Sequence, residues 1–425
     1  MQKRKDNKNR VLKEGESQRK NGTYTYRFRT PDKVRHSVYA KTLEDLREKE
    51  KAIQTDLMNR KNYTHSSLTL NDYYEVWKDI KRGLKPNTQE NYSYVYQKWV
   101  YGSFGKKRLI DIKHSDVKRF YNSLHEETHL TVAMIDSIHC VIHQVLSCAV
   151  DDDIISTNPS DSALRDLKKA FTSEKEKRKA LTLEEVKILL HFVATSDTYA
   201  HWLPLLVVLL FTGMRIGEAL GLTWKDIDFE NQVIHVKRTL VYYAKGKKTI
   251  HRRCYYAINK PKTEAGIRDI PILPIVEWAF TEQKKYLSDF HMISASNIDG
   301  ISDFIFLNRF NEVLNGGVIN KALKRIVSLI NGSYKEQISP TLSCHIFRHT
   351  FLSMANAADM NFKAKQDIVG HRCQDVTNGV YTDTEFKFRL KQMSKLQPVI
   401  DITCKHLPQA YAQTYTQIMS TYEDL

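Results

Sequence analysis

Residues 343–350 read SCHIFRHT, residues 369–373 read VGHRC and residues 379–383 read GVYTD. The stretch from Ser343 to Tyr381 therefore holds His345, Arg348, His349, His371 and Tyr381. His345 and Arg348 are three apart, so on a helix they share a face. That arrangement sets a proton-transfer group beside a permanent cation. Guanidinium binds phosphate oxygens bidentately and keeps its charge, so the pair suits an anionic substrate. Such a substrate calls for more cations, and they have to come from elsewhere in the chain.

Two upstream motifs supply them. TGMRIGE (212–218) follows an apolar helix expected over Trp202–Phe211. Its Arg215 lies at the break after that helix, with Glu218 one turn on. Two readings stand: a surface arginine paired to Glu218, or a phosphate clamp that Glu218 holds in place. Lys262 lies in NKPKTEAGIRDIPI (259–272), at the expected tip of a β-hairpin. A hairpin lysine is usually just exposed. Beside a scissile phosphate its ammonium can protonate a leaving oxygen.

Composition agrees with a polyanionic partner. The 425 residues predict two or three domains, and 41% apolar content is ordinary for a globular chain. Lys+Arg 65 against Asp+Glu 49 gives a net charge of +16. Residues 1–40 carry 12 Lys/Arg and 4 Asp/Glu, so half of that excess sits at the front. The alternative there is a solvated tail. No apolar run approaches the roughly 20 residues of a membrane helix. The basic start lacks the apolar segment of a signal peptide. We expect an intracellular protein. Six cysteines without C-x-x-C spacing read as reduced thiols. A metal site using Cys344 or Cys373 with a motif histidine is the alternative, and no paired ligand spacing supports it.

Taken in order, residues 1–20 are polar, basic and expected to be mobile in part. Thr23–Thr30 and His36–Ala40 alternate with period two, and a charged helix is expected from Thr42 to Arg60, capped by Thr42. Residues 1–65 thus form a three-stranded sheet plus a helix. Arg27 and Arg29 lie two apart on one strand face, as a strand entering a DNA major groove would carry them. Residues 66–162 form an all-α domain. Thr69 and Asp72 cap its first helix, and the aromatic stripe Tyr92, Tyr96 and Trp99 reads as core. Lys106, Lys107 and Arg108 are candidate phosphate contacts or a solvated basic turn. Residues 163–180 read as a basic linker. Residues 181–400 form a mixed α+β domain whose first helix opens with a capping box, Thr182 and Glu185. Its strands are expected over Val233–Leu240, Val241–Ile258 and Ile267–Pro271. Residues 401–425 form a polar helical tail.

These motifs together resemble the tyrosine recombinase (phage integrase) family, and most of all the integrases of conjugative transposons. Arg215 and Glu218 match the family's T-G-x-R-x-x-E. Lys262 matches its hairpin K-T. His345, Arg348 and His349 match H-x-x-R-H-T. Val369-Gly370-His371 matches L-G-H with Val for Leu, and Tyr381 matches the nucleophile. Tyr256, Tyr286 and Tyr334 are the other candidate nucleophiles, and none follows a Gly-His box.

The resemblance implies an arm-site DNA-binding domain at 1–65, a core-site DNA-binding domain at 66–162 and a catalytic domain at 181–400. It implies that Tyr381 attacks a phosphodiester, with His345 as base, Arg215, Arg348 and His371 on the non-bridging oxygens and Lys262 as acid. It implies no cofactor and no metal. The implied partners are double-stranded DNA at core and arm sites, a homotetramer on DNA, an excisionase and DNA-bending proteins. The tail is implied to pack on a neighbouring protomer, with packing on its own protomer as the alternative. Type IB topoisomerase-like relaxation and a catalytically silent DNA-binding regulator are the competing functions.

Overall fold

Alternation from Tyr24 to Arg29 builds the middle strand of the N-terminal sheet. The structure is a computed structural model that describes residues 4–29, 35–58, 67–84, 86–171, 180–243, 255–261, 264–335, 337–370 and 383–423. The chain divides into two units, Met1–Lys175 and Glu176–Leu425. In the first, β1 (Glu16–Gln18), β2 (Tyr24–Arg29) and β3 (Arg35–Ala40) form an antiparallel sheet in that order. Tyr24 and Tyr26 are buried with Leu43 and Leu46 of α1 (Leu43–Met58). The Thr42 hydroxyl accepts the Asp45 amide at 3.1 Å and so caps α1.

β1 falls inside the segment expected to be mobile. Buried charge pins it there. The Glu16 carboxylate accepts from Arg47 Nε at 3.1 Å, and Asp6 accepts from Arg10 Nε at 2.8 Å and from Tyr24 Oη at 3.0 Å. Burial works against the charged form of Asp6, but its hydrogen bonds from Arg10 and Tyr24 outweigh it and lower the carboxyl to about 2.

The helical part contains α2 (Leu70–Ile80), α3 (Pro86–Trp99), α4 (His114–Glu126), α5 (Val132–Asp151) and α6 (Arg165–Phe171). Thr69 and Asp72 form a full capping box on α2. The Tyr74 and Tyr96 rings stack at 3.7 Å inside the core, and Tyr92 and Trp99 pack against it. α5 is long and apolar enough to cross a membrane by length and composition, contrary to our reading of the sequence. Its apolar residues are spaced for packing: Ile135, Ile138, Ile142, Val145 and Ala149 make one buried stripe against α2 and α3. Ala163, Leu164 and Leu167 are buried in this same core, so the head of the expected linker packs with the helices. Residues 172–179 lie outside the described residues.

The second unit contains α7 (Leu183–Ala194), α8 (Leu203–Thr212), α9 (Ile216–Leu220), β4 (Ile227–Asp228), β5 (Val233–Val236), β6 (Thr239–Tyr243), β7 (Tyr255–Asn259) and β8 (Arg268–Pro271). α10 (Pro274–Asp289), α11 (Gly316–Ser333), α12 (Cys344–Ala357), α13 (Phe362–Val369), α14 (Asp383–Met393), α15 (Gln397–Cys404) and α16 (Leu407–Glu423) follow. The expected strand Val233–Leu240 is two strands in two sheets. β5 pairs with β4 and β8, while β6 pairs with β7. The break falls at Lys237-Arg238, where Arg238 turns to ion-pair with buried Asp226. The tail packs on its own protomer. Tyr411 and Tyr415 join the hydrophobic core of this unit, and Tyr415 Oη donates to Asp289 at 2.8 Å.

α8 is the centre of this unit, with all ten residues buried. It ends at Gly213, whose φ of +63° is the left-handed conformation that glycine adopts at helix ends. A Cβ there would stand 2.5 Å from the Phe351 ring of α12. Gly213→Ala should therefore lower stability by about 1–3 kcal/mol, read as a fall in Tm by thermal denaturation.

Candidate active site

The site is built around Glu218, a buried carboxylate at the third position of α9. Its Oε2 accepts the Arg215 backbone N–H at 3.0 Å, the reach of a capping glutamate. Its Oε1 accepts Arg215 Nη1 at 2.7 Å. The Arg215 side chain is 43% exposed and that of Glu218 is 1% exposed. Both readings of Arg215 thus hold at once. It pairs with Glu218, and the pairing aims a half-exposed guanidinium outward. A second guanidinium, that of wholly buried Arg268 on β8, donates Nη2 to Glu218 Oε2 at 2.8 Å. Burial disfavours the Glu218 carboxylate, but Arg268 and Arg215 outweigh it, so its pKa is lowered. The stability it gives is complete above its ordinary 4.5 and is lost as the pH falls from there through its lowered value.

Arg348 lies on α12 and is buried. Its Nη1 donates to the Gly213 carbonyl at 2.9 Å, so the αL turn that ends α8 brings Arg215 and Arg348 together. Its Nη2 meets no acceptor among the described residues. Burial and the repulsion of Arg215 push this guanidinium down to about 9, which leaves it charged at neutral pH. A buried cation with a free donor is costly unless an anion meets it.

His345 lies one turn before Arg348 on α12, is exposed and stands edge-on to the His349 ring at 4.8 Å. Arg215, Arg348 and His345 are thus placed on two adjoining elements. Lys262, His371 and Tyr381 lie outside the described residues. The hairpin expected around Lys262 is not formed by its flanking strands, because β7 pairs with β6 and β8 with β5. β7 and β8 therefore stand in different sheets. Cys344 is buried, and burial pushes its thiol up to about 12. Cys373 lies outside the described residues, and among those described no cluster of metal-ligating side chains occurs.

Arg27 and Arg29 are exposed on one face of β2, as alternation requires. Arg29 stands directly opposite Arg35 of β3, also exposed. Like charges facing each other across a ladder destabilise a sheet. In the helical part Lys106, Lys107 and Arg108 are all exposed. Lys107 pairs with Asp116 at 3.2 Å and Arg108 with Asp111 at 2.6 Å, while Lys106 has no ion pair among the described residues. Exposed pairs of this kind are worth about 0–1 kcal/mol, so a phosphate can replace either partner.

Reading the sequence missed Arg35 and Arg268. The signal for Arg268 was present: it shares the inward phase of its strand with buried Ile270 and Ile272. A basic residue on that phase needs a buried partner.

The phage integrase family profile matches residues 179–387. That for the DNA binding domain of Tn916 integrase matches residues 1–57, and that for the phage integrase N-terminal SAM-like domain matches residues 69–125. The chain is 30% identical over 408 residues to the transposase from transposon Tn1545 of Streptococcus pneumoniae and to that from Tn916 of Enterococcus faecalis. Each alignment covers 93% of this chain and 97% of the relative. The Tn1549 transposon integrase in complex with a circular intermediate DNA superposes with a TM-score of 0.65 at 29% identity, covering 72% of this chain and 92% of that one. The chain belongs to the phage integrase family. It is a tyrosine site-specific recombinase, and its activity is DNA recombination for integration and excision.

Arg348→Met should slow single-turnover DNA cleavage by roughly 10²–10³-fold, the cost of one transition-state donor. It should leave Tm equal to or above that of the parent, because it removes a buried cation with an unmet donor. Cleavage assay and thermal denaturation on the same preparation check both.

Proposed function

We propose that this recombinase moves a mobile element by cutting and rejoining DNA through a 3′-phosphotyrosyl intermediate. The observation that supports this most is the unmet, buried Nη2 of Arg348 beside Arg215. Counting Arg215, Arg268 and Arg348 as +3 and Glu218 as −1 leaves +2, a charge suited to a phosphodiester that gains negative charge on attack.

Tyr381 Oη attacks phosphorus, and the bond from phosphorus to the 5′-oxygen breaks. A phenol titrates near ~10, so its proton must be taken up as the bond forms. His345 takes it. Lys262 gives a proton to the departing 5′-oxygen. Arg215 and Arg348 hold the non-bridging oxygens, and His371 donates a further hydrogen bond to them. The ester energy is kept in the phosphotyrosine, so a 5′-hydroxyl from the partner duplex can reverse the step and rejoin the strands.

Residues 1–65 would read an arm site through Arg27 and Arg29. Residues 66–162 would clamp the core site with Lys106, Lys107 and Arg108, residues 163–180 would link them to catalysis, and residues 181–400 would cut. Exchange between two duplexes breaks four strands with one tyrosine each, which calls for a tetramer on DNA and a four-way junction between the two rounds. An excisionase and DNA-bending proteins would set direction, in the bacterial cytoplasm at the nucleoid. An arm-binding sheet has no use in a monomer that only relaxes supercoils, and a clamp with a free catalytic donor has none in a silent regulator.

Tyr381→Phe should bind a nicked suicide substrate like the parent and form no covalent protein–DNA adduct on denaturing gels. An adduct with this variant would assign the nucleophile elsewhere. Neutralising Arg27 and Arg29 together should weaken arm-site binding and reduce the salt slope by about 2, since each phosphate neutralised by the protein adds near 0.9 to it. Binding isotherms from low to high salt read that slope.

A further inference from the structure

We propose that Arg268 is a positioning residue that ties the phosphate clamp to the end of α13, the described residues that precede His371 in sequence. This rests on the recombinase reading of the site above. The Arg268 side chain is wholly buried, so it does not touch DNA. Its three nitrogens serve three separate places. Nη2 donates to Glu218, which holds Arg215. Nη1 donates at 3.1 Å to the carbonyl of Gly266, four residues after Lys262. Nε donates to the carbonyl of Ile368, three residues before His371. One planar group thus joins the flanks of three motifs that the sequence keeps far apart.

Two further features point the same way. Gly370 has a φ of +70°, and a Cβ there would lie 2.8 Å from the Ala265 carbonyl and 3.2 Å from Arg268 Nη1. The glycine of the Gly-His box is therefore what lets the end of α13 close over Arg268. The next residue on β8 holds the other flank: the Asp269 carbonyl accepts from Arg389 Nη1 of α14 at 3.1 Å. β8 so grips the described residues on both sides of 371–382.

The arrangement demands a fork and not only a charge. A lysine would keep the positive charge beside Glu218, but a single ammonium on a flexible stem cannot hold three acceptors along fixed directions. Misplacing a catalytic group by about 1 Å costs on the order of 10²-fold in rate. Arg268 would act on rate through Arg215 and through the placement of the His371 segment, without meeting substrate.

The test compares Arg268→Lys, Arg268→Met, Glu218→Gln and the Arg268→Lys/Glu218→Gln double variant with the parent. Single-turnover adduct formation on a nicked suicide substrate gives the rate, gel shift gives DNA affinity, and circular dichroism gives Tm so that each assay runs below it. The expected result is that R268K and R268M are both about 10²-fold slower with DNA affinity unchanged. The double variant should be no slower than the slower single variant, because both lie on one path. R268K cutting at the parent's rate overturns the proposal, as charge alone would then suffice. Multiplying losses in the double variant overturn it too. An R268K that folds at no temperature assigns Arg268 to the fold and likewise overturns it. Adduct formation by the parent is the separate check on the recombinase reading: if the parent forms none, that reading has failed, whatever Arg268 does.

Discussion

A single buried carboxylate lets this protein gather three guanidinium groups, two of them buried, at one place in the fold. Glu218 bonds Arg215 and Arg268 directly and lowers the field at Arg348. Two like charges about 5 Å apart repel by roughly 3 kcal/mol at an effective dielectric of about 20. Two buried guanidinium groups with a third beside them are costly to keep charged without a counter-charge. With Glu218 in place the cluster keeps an excess of positive charge, and the free protein carries that cost. An anion brought beside the cluster relieves part of that cost, and more as the anion gains negative charge. Interactions that strengthen toward the transition state are the ones that raise a rate.

The surroundings of the cluster are built to bear this cost. α8 is apolar on every side, and the turn at Gly213 lets α12 pack close enough for Arg348 to reach the Gly213 carbonyl. Thr350, two residues along α12, accepts the Leu181 amide at 3.0 Å, so the entry into the catalytic unit is fastened to the helix that carries Arg348. The N-terminal sheet follows the same physical rule on a smaller scale. Arg29 faces Arg35 across the ladder, while Asp6 and Glu16, each bonded to arginine, hold the opposite part of that small domain together. In both places acidic residues bond arginines to hold the fold, and further arginines stand beside them in excess.

Much of this was legible from pattern and much of the rest was not, for identifiable reasons. Capping boxes at Thr69 and Thr182 and the alternation of β2 are local signals, and the elements they mark formed where expected. Arg215 and Arg348 stand out in the sequence by their motifs, and the fold brings their two segments together through the Gly213 carbonyl. Partner choice was not legible. Val233–Leu240 looks continuous in apolar character, but period two names a face and not the neighbouring strand, so the switch between sheets at Arg238 was invisible. The segment before β8 looked like a hairpin for the same reason. α5 looks apolar enough for lipid because hydropathy averages over its faces, whereas burial depends on the stripe.

Exposure sorts the arginines of the cluster into different tasks. Arg215 is half-exposed, Arg348 is buried with one donor unmet, and Arg268 is sealed with every nitrogen engaged. Solvent reaches the first, the second is covered with Nη2 unmet among the described residues, and the third is sealed from solvent. Chemistry alone would not separate these residues, since all three are arginines beside one glutamate. Their hydrogen bonds do. A buried guanidinium whose three nitrogens all donate to the protein is fixed in place and fixes its acceptors, whereas one with a nitrogen left over keeps the capacity to meet another acceptor. The same side chain thus serves as ligand or as scaffold according to how many of its donors the fold has already used.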